Sequence, residues 1–76
     1  LEVGNDNYAI AMCHLFELGV PKNPATAFEF FKKSAEEGDE YGEYKLGGCY
    51  NEGDGTEKDS KAAFEMYLKV AEKGYA

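Results

Sequence analysis

The 76-residue sequence contains no arginine, only two cysteines and a single histidine. Its eight basic residues are therefore all lysines, and 15 acidic residues bring the net charge to −7. Nucleic-acid backbones and anionic membrane surfaces both need clustered positive charge on a protein, so both are disfavoured as partners. No apolar run approaches the roughly 18 residues of a membrane span, and no basic segment followed by an apolar stretch indicates a signal peptide.

Two cysteines are too few for a disulfide framework, which in small secreted folds usually takes four or more. Cys13 and Cys49 are interpreted as small buried hydrophobic residues with free thiols, which favours a reducing compartment. Localisation is otherwise open, with the cytoplasm slightly favoured. His14 is adjacent to Cys13 on a predicted helix, and neighbours there point about 100° apart, so the two do not form a metal site.

The sequence also lacks a group of residues suited to catalysis. Ser34 and Ser60 are the only serines, and neither has a lysine three residues later, as a penicillin-type serine site requires. The acidic, glycine-rich stretch 51–59 has Lys58 within it and does not follow the ligand series of a calcium loop. We therefore expect no catalytic residues, no metal and no cofactor, and we predict that the chain is not an enzyme.

The sequence contains an internal repeat in which glycines, alanines and aromatic residues return together. A shift of 34 aligns Gly4 with Gly38 and Gly19 with Gly53. Two extra residues, Asp54-Gly55, then change the shift to 36. The later matches at that shift include Ala27 with Ala63, Phe28 with Phe64, Phe31 with Tyr67, Ala35 with Ala71 and Gly38 with Gly74.

Each repeat is predicted to contain two helices, because its apolar residues recur at helical spacing. Asn23 and Asp59 or Ser60 are candidate N-caps, and Gly19 is the candidate C-cap of the first helix. Gly42 inside the third helix lowers helix propensity by about 1 kcal/mol relative to alanine, so we expect that helix to be the softer one. The predicted helices cover about Asp6–Leu18, Pro24–Glu37, Glu40–Asn51 and Ser60–Lys73.

These helices predict an all-α fold, an α/α superhelical solenoid of stacked antiparallel hairpins with about four helices and two repeats. We assign the first repeat to residues 4–37 and the second to residues 38–73. The fringes 1–3 and 74–76 are expected to belong to neighbouring repeats, which makes the chain a segment of a longer protein. Apolar stripes exposed at its ends favour possible end-to-end self-association.

The second repeat resembles a Sel-one-like repeat, a family within the tetratricopeptide superfamily. Its matching residues are Gly38-Asp39, Leu46-Gly47, Tyr50, Gly53, Gly55, Asp59, Ala63, Met66-Tyr67, Lys69 and Ala71-Glu72 with Gly74. The first repeat matches through Gly4-Asn5, Met12, Phe16, the turn Gly19–Asn23, Ala27, Phe30-Phe31, Lys33 and Ala35-Glu36 with Gly38. Among the departures, Tyr8 and Gly42 stand where the family usually has alanine.

The resemblance implies a scaffold or adaptor that binds a protein or peptide partner through the first helix of each repeat. By position this surface comprises Asn7, Ile10, His14 and Glu17 in repeat one, and Tyr41, Tyr44, Gly48 and Asn51 in repeat two. For Ile10 and Tyr44, packing between neighbouring repeats is an equal alternative. The alternative function is that of a regulatory repeat region within a larger enzyme, such as a kinase or a cell-wall enzyme.

The turn between the repeats carries an acidic cluster of Glu36-Glu37, Asp39-Glu40 and Glu43. Its simplest interpretation is a solvated face that promotes solubility. The alternative is a patch that attracts a basic partner, and such binding would weaken steeply as salt is raised.

Overall fold

The computed structural model describes residues 6–74, which form four α-helices and contain no β-strand. Each helix packs against the next in the chain, so α1 and α2 form one hairpin, α3 and α4 form a second, and α2 joins the two. The predicted all-α solenoid is confirmed. Residues 1–5, which include the predicted fringe 1–3, and residues 75–76 lie outside the described residues. The helices are α1 Asp6–Phe16, α2 Pro24–Glu36, α3 Glu40–Glu52 and α4 Ser60–Glu72.

Side-chain caps fix the starts of the last three helices. The Asn23 carboxamide oxygen accepts the Thr26 N–H at 3.1 Å, and Pro24 occupies the first helical turn, where its missing N–H is harmless. The Asp59 carboxylate accepts the Ala62 N–H at 3.1 Å. Of the two candidates for the cap of α4, the structure therefore selects Asp59. Asp39 caps α3 in the same way.

The end of α1 differs from the prediction. The helix stops at Phe16, two residues before the predicted Leu18, because Glu17 takes the left-handed conformation with φ 58°. The Leu18 N–H then donates to the Cys13 carbonyl at 2.9 Å, which satisfies one of the last carbonyls of the helix. Gly19 also has a positive φ, of 87°, but it lies beyond this closing turn.

The equivalent turn after α3 lies 36 residues later, and not 34. Gly53 takes the left-handed conformation with φ 78°, as Glu17 does, and the Asp54 N–H donates to the Cys49 carbonyl at 3.0 Å. Gly55, with φ 74°, then corresponds to Gly19. Asp54 and Gly55 are therefore not an insertion.

Contacts between aromatic rings show that the repeat spacing of 36 also holds within the helices. The Tyr8 and Phe31 ring centroids lie 5.9 Å apart, and those of Tyr44 and Tyr67, 36 positions later, lie 5.6 Å apart. The predicted shift of 34 over the first helix is therefore wrong. Two residues correspond to about 200° around a helix, so the shift of 34 pairs residues on nearly opposite faces.

The core lies where α1, α2 and α3 meet. Alanines and a glycine let the helices approach closely there, and Phe31 is the largest side chain that is fully buried. A Cβ atom built on Gly42 would lie 2.7 Å from the Ser34 Cβ and 2.9 Å from the Ala35 backbone nitrogen. Glycine at this position is therefore required for packing, whatever it does to helix propensity. The buried cluster consists of Ala11, Ala27, Phe31, Leu46 and Cys49.

Candidate functional site: a tyrosine-lined groove

A groove of about 520 Å³ lies between α1, α3 and α4 and is lined mainly by tyrosines. Tyr41 and Tyr44 are 52% and 51% exposed, so both present ring surface to solvent. We call this feature the tyrosine groove. Its lining residues are Tyr8, Tyr41, Tyr44, Lys45, Tyr67, Val70 and Ala71.

Contacts between rings hold the groove walls in place. The Tyr8 ring packs between Phe31 and Tyr41, with both centroids at 5.9 Å, and Tyr44 packs against Tyr67. Aromatic pairs at such distances contribute about 0.5–1.5 kcal/mol beyond the area that they bury. The groove is therefore formed by packed side chains from three helices.

Burial also sets the protonation of two of these tyrosines. The pKa of Tyr8 is raised above its ordinary value by burial, and further by the nearby Asp39 and Tyr41. The pKa of Tyr67 is raised by burial, and further by Tyr44, Glu52 and Cys49. Both side chains are consequently neutral phenols at physiological pH.

The four site residues predicted in the second repeat are only partly brought together. Tyr41 and Tyr44 line the groove. Gly48 instead lines a separate cavity of about 130 Å³ near Leu15 and Cys49. Asn51 is exposed near the end of α3, where its amide donates to the Glu52 carboxylate at 3.4 Å.

The four residues predicted in the first repeat do not line the groove. Asn7 donates to the Glu37 carboxylate at 3.0 Å, at the end of α2. The His14 ring stacks on Phe30, and its Nδ1 lies 3.0 Å from the Ile10 carbonyl oxygen. The fourth, Glu17, is an exposed residue of the turn. These residues were placed by the shift of 34, which selects a different stripe of α1.

The sequence-based prediction omitted five groove residues, and the repeat spacing of 36 identifies one of them. Tyr8 lies 36 positions before Tyr44, so the correct shift would have placed it on the same face. The other four depend on how α3 and α4 pack together, and no spacing within one helix indicates that. They are Lys45, Tyr67, Val70 and Ala71.

The acidic cluster is not one solvated face, and that interpretation is wrong for Glu43. Glu43 is only 2% exposed, and the Lys73 Nζ lies 2.9 and 3.0 Å from its two oxygens. Asp39 Oδ2 accepts the Gly42 N–H at 2.7 Å and the Ser34 hydroxyl at 3.3 Å. At least two of these carboxylates therefore hold helices in place.

The thiols do not supply a nucleophile to the groove. Both cysteines are free, and burial raises the pKa of Cys49 to about 11, with Asp54 adding to the effect and Lys45 opposing it. A neutral buried thiol is unreactive. Within residues 6–74, no group of histidine, cysteine and acidic side chains is arranged to hold a metal ion. Among the described helices, none has the length and apolar character to cross a membrane.

Comparison with known proteins identifies the repeat. A family model described as the Sel1 repeat matches residues 6–39 and again residues 41–75. The first match contains α1 and α2, and the second contains α4 and nearly all of α3. A search of curated proteins gave no match. Because the two matches together span most of the sequence and each coincides with one helical hairpin, the chain belongs to the Sel1 repeat family.

Proposed function

We propose that the chain is a scaffold or adaptor segment that binds a helix or peptide of another protein through the tyrosine groove. Sel1 repeats generally mediate protein–protein interactions, and the family is typically non-catalytic. The observation that supports this particular site is the groove itself, a preformed surface with two half-exposed tyrosines on one wall.

Tyrosines suit this task because they bring a large amphipathic surface while losing little side-chain entropy on binding. Lys45 also lines this groove, so one basic residue belongs to its lining. The proposal therefore keeps Tyr41 and Tyr44 from the sequence-based surface and adds Tyr8 and Tyr67, which lie on the neighbouring helices.

The test uses a purified partner recovered with the full chain and titrates it against single alanine variants. Tyr41→Ala and Tyr44→Ala should each raise the dissociation constant about tenfold, which is the size of effect expected for an aromatic anchor. Leu18→Ala is the matched control, since Leu18 is 58% exposed in the α1–α2 turn, away from the groove. Unchanged affinity in both tyrosine variants, or an equal loss with Leu18→Ala, would contradict the proposal.

Two observations bear on end-to-end association of this chain, and they point in opposite directions. The exposed Phe64 and Leu68 of α4 favour it, because they leave apolar surface open at one end of the stack. The residue type at position 6 disfavours such association. The shift of 36 aligns Asp6 with Gly42, and at Gly42 the neighbouring helix leaves no room for a side chain. We propose that copies of the chain associate only weakly.

A further inference from the structure

The cavity of about 130 Å³ near Leu15 and Cys49 lies between the two hairpins and not at an end of the stack. We call it the interhairpin cavity. Phe31 and Cys49 on its floor are buried, and Leu15 adds a third apolar side chain. Gly48 contributes no side chain to fill it. Three charged residues complete its lining, namely Lys45, Glu52 and Asp54.

The charged residues of this cavity have no ionic partner within the described part of the chain. Among residues 6–74, both ion pairs are made by Glu43, which lies elsewhere. Lys45 and Asp54 nevertheless lie close enough to the floor to act on the Cys49 thiol. Burial is the main cause of the raised pKa of this thiol, about 11, while Asp54 raises the pKa further and Lys45 lowers it. One ammonium and one carboxylate therefore lie near an apolar floor without forming an ion pair with each other.

The first hairpin shows that the fold does not need acidic residues at these positions. Thirty-six residues before Glu52 and Asp54, the chain carries Phe16 and Leu18, which are 54% and 58% exposed. The Glu52 carboxylate accepts a long hydrogen bond, of 3.4 Å, from the adjacent Asn51 amide. The two carboxylates therefore belong to this cavity alone and contribute little to the packing of the hairpin.

The volume of the cavity limits its occupant to a single side chain, because sites for whole small molecules measure about 300–1,000 Å³. A basic side chain suits both parts of the lining. Its apolar stem packs on Leu15, Phe31 and Cys49, while its cationic head stays at the more exposed carboxylates. An acidic side chain would meet two carboxylates of its own sign and a single ammonium.

The distribution of charge along the chain favours the same occupant. The helices α2 and α4 each contain two lysines and two glutamates, so their formal charges cancel. In contrast, α3 contains three glutamates and one lysine, and α1 contains one aspartate and no lysine. The first helix of each hairpin is therefore the more acidic one, and a basic segment is attracted to the side on which the cavity lies.

The interhairpin cavity is continuous with the tyrosine groove, because Lys45 lines both. Tyr44, Gly48 and Glu52 recur every four residues, so they follow one side of α3. Tyr44 and Glu52 are separated by about 12 Å along the helix axis, at 1.5 Å per residue. One bound segment can therefore contact the groove and reach the cavity.

We infer that the interhairpin cavity receives an arginine or lysine side chain of the bound partner, with its cation at Glu52 and Asp54. The inference rests on the proposed function, because it specifies the chemistry of the segment that binds the tyrosine groove. The partner should carry this basic residue about 12 Å from the side chain that contacts Tyr44.

The experiment uses N-acetyl-arginine amide as the probe and follows the amide resonances of the isotope-labelled full chain by NMR at constant ionic strength. Both ends of the probe are blocked, so the guanidinium carries its only charge. The probe should shift the resonances of Gly48, Cys49 and Asp54 saturably, with a dissociation constant on the order of 1 mM for a ligand of this size. N-acetyl-citrulline amide, which has a similar shape and no charge, should bind at least about fivefold more weakly.

Two double variants, each lacking two negative charges, separate the cavity from the overall charge of the protein. Glu52→Gln/Asp54→Asn should weaken binding of the arginine probe about tenfold, the size expected from losing two partly exposed ion pairs. It should not unfold α3, because carboxylates near a helix C-terminus oppose the helix dipole. Glu57→Gln/Glu65→Gln is the control, since both residues are exposed and neither lines the cavity. It should change the dissociation constant by less than about twofold.

Lys45→Met gives a change of opposite sign. It removes a like charge from the lining, so it should strengthen binding of the arginine probe. The inference would be overturned by a wild-type chain without a saturable shift, by equal binding of the two probes or by equal weakening in the two double variants. Failure of Lys45→Met to strengthen binding would also overturn it.

No protein partner enters this experiment, so its failure is distinct from failure of the proposed function. If the arginine probe does not bind, the titration of the Tyr41 and Tyr44 variants still tests the groove. If that titration fails while the arginine probe binds as expected, the cavity recognises a cation without the groove as its neighbour site.

Discussion

Glycine inside a helix normally lowers stability, and Gly42 is a position where packing reverses that rule. The Gly42→Ala variant gains about 1 kcal/mol of helix propensity. It also forces a methyl group against the Ser34 side chain and the Ala35 backbone, and overpacking of this kind costs about 1–3 kcal/mol or more. We expect the free energy of unfolding to fall by up to about 2 kcal/mol, measured by urea denaturation followed by circular dichroism.

Gly48 provides the matched control on the same helix. A Cβ atom there meets only the Tyr67 hydroxyl, at an ordinary contact distance of 3.9 Å. Gly48→Ala should therefore raise the free energy of unfolding by up to about 1 kcal/mol. If both variants were stabilised, the close approach of α2 and α3 at Gly42 would not be a feature of the folded protein in solution.

At the scale of helices, each hairpin contains a polar contact between its two halves. The two contacts lie at equivalent positions but differ chemically. Asn7 donates to Glu37 in the first hairpin, and Glu43 pairs with Lys73 at the equivalent positions of the second. Glu43 is buried, so its carboxylate depends on the lysine for compensation of the desolvation penalty. The second hairpin therefore has a charge pair at the positions where the first hairpin has the contact between Asn7 and Glu37.

Lys73→Met should destabilise the protein by about 1–3 kcal/mol, less than for a fully buried pair because the Lys73 side chain is 35% exposed. Lys69→Met is the comparison, since its ammonium lies 4.0 Å from the same carboxylate and its side chain is 56% exposed. That variant should change stability by no more than about 0.5 kcal/mol. Equal effects in chemical denaturation would show that Lys73 has no special role.

The sequence predicted where the helices lie more accurately than how the two repeats correspond. Caps and apolar periodicity are local, and they located all four helices within about two residues. The spacing between the repeats was predicted wrongly because Glu17 takes the left-handed conformation that Gly53 takes in the second repeat. Gly19 was therefore aligned with Gly53, at a shift of 34. Tyr41 and Tyr44 were recognised as exposed on one helix, whereas Tyr67 joins them only through tertiary packing.

For the whole molecule, we propose that the exposed Phe64 and Leu68 of α4 and the first residue of α1, Asp6, influence whether copies stack end to end. A head-to-tail contact uses two different surfaces, so it would build open chains or closed rings and not twofold dimers. In the sequence, the positions 36 residues before Tyr41 and Gly42 carry Asn5 and Asp6, two polar residues in place of an aromatic–glycine pair. The net charge of −7 adds repulsion between copies, which salt of physiological strength screens beyond about 8 Å.

The double variant Asn5→Tyr/Asp6→Gly places the aromatic–glycine pair of α3 at the equivalent sequence positions and should strengthen concentration-dependent association of the chain. Sedimentation velocity over a concentration series measures this directly, and the wild-type chain should associate far more weakly under the same conditions. Adding Ala71→Gln to the double variant should reverse this strengthening by placing a larger side chain on α4, whereas Glu72→Gln, on an adjacent exposed residue, should not. A double variant that stays monomeric at every concentration would show that the residues at positions 5 and 6 do not control the association.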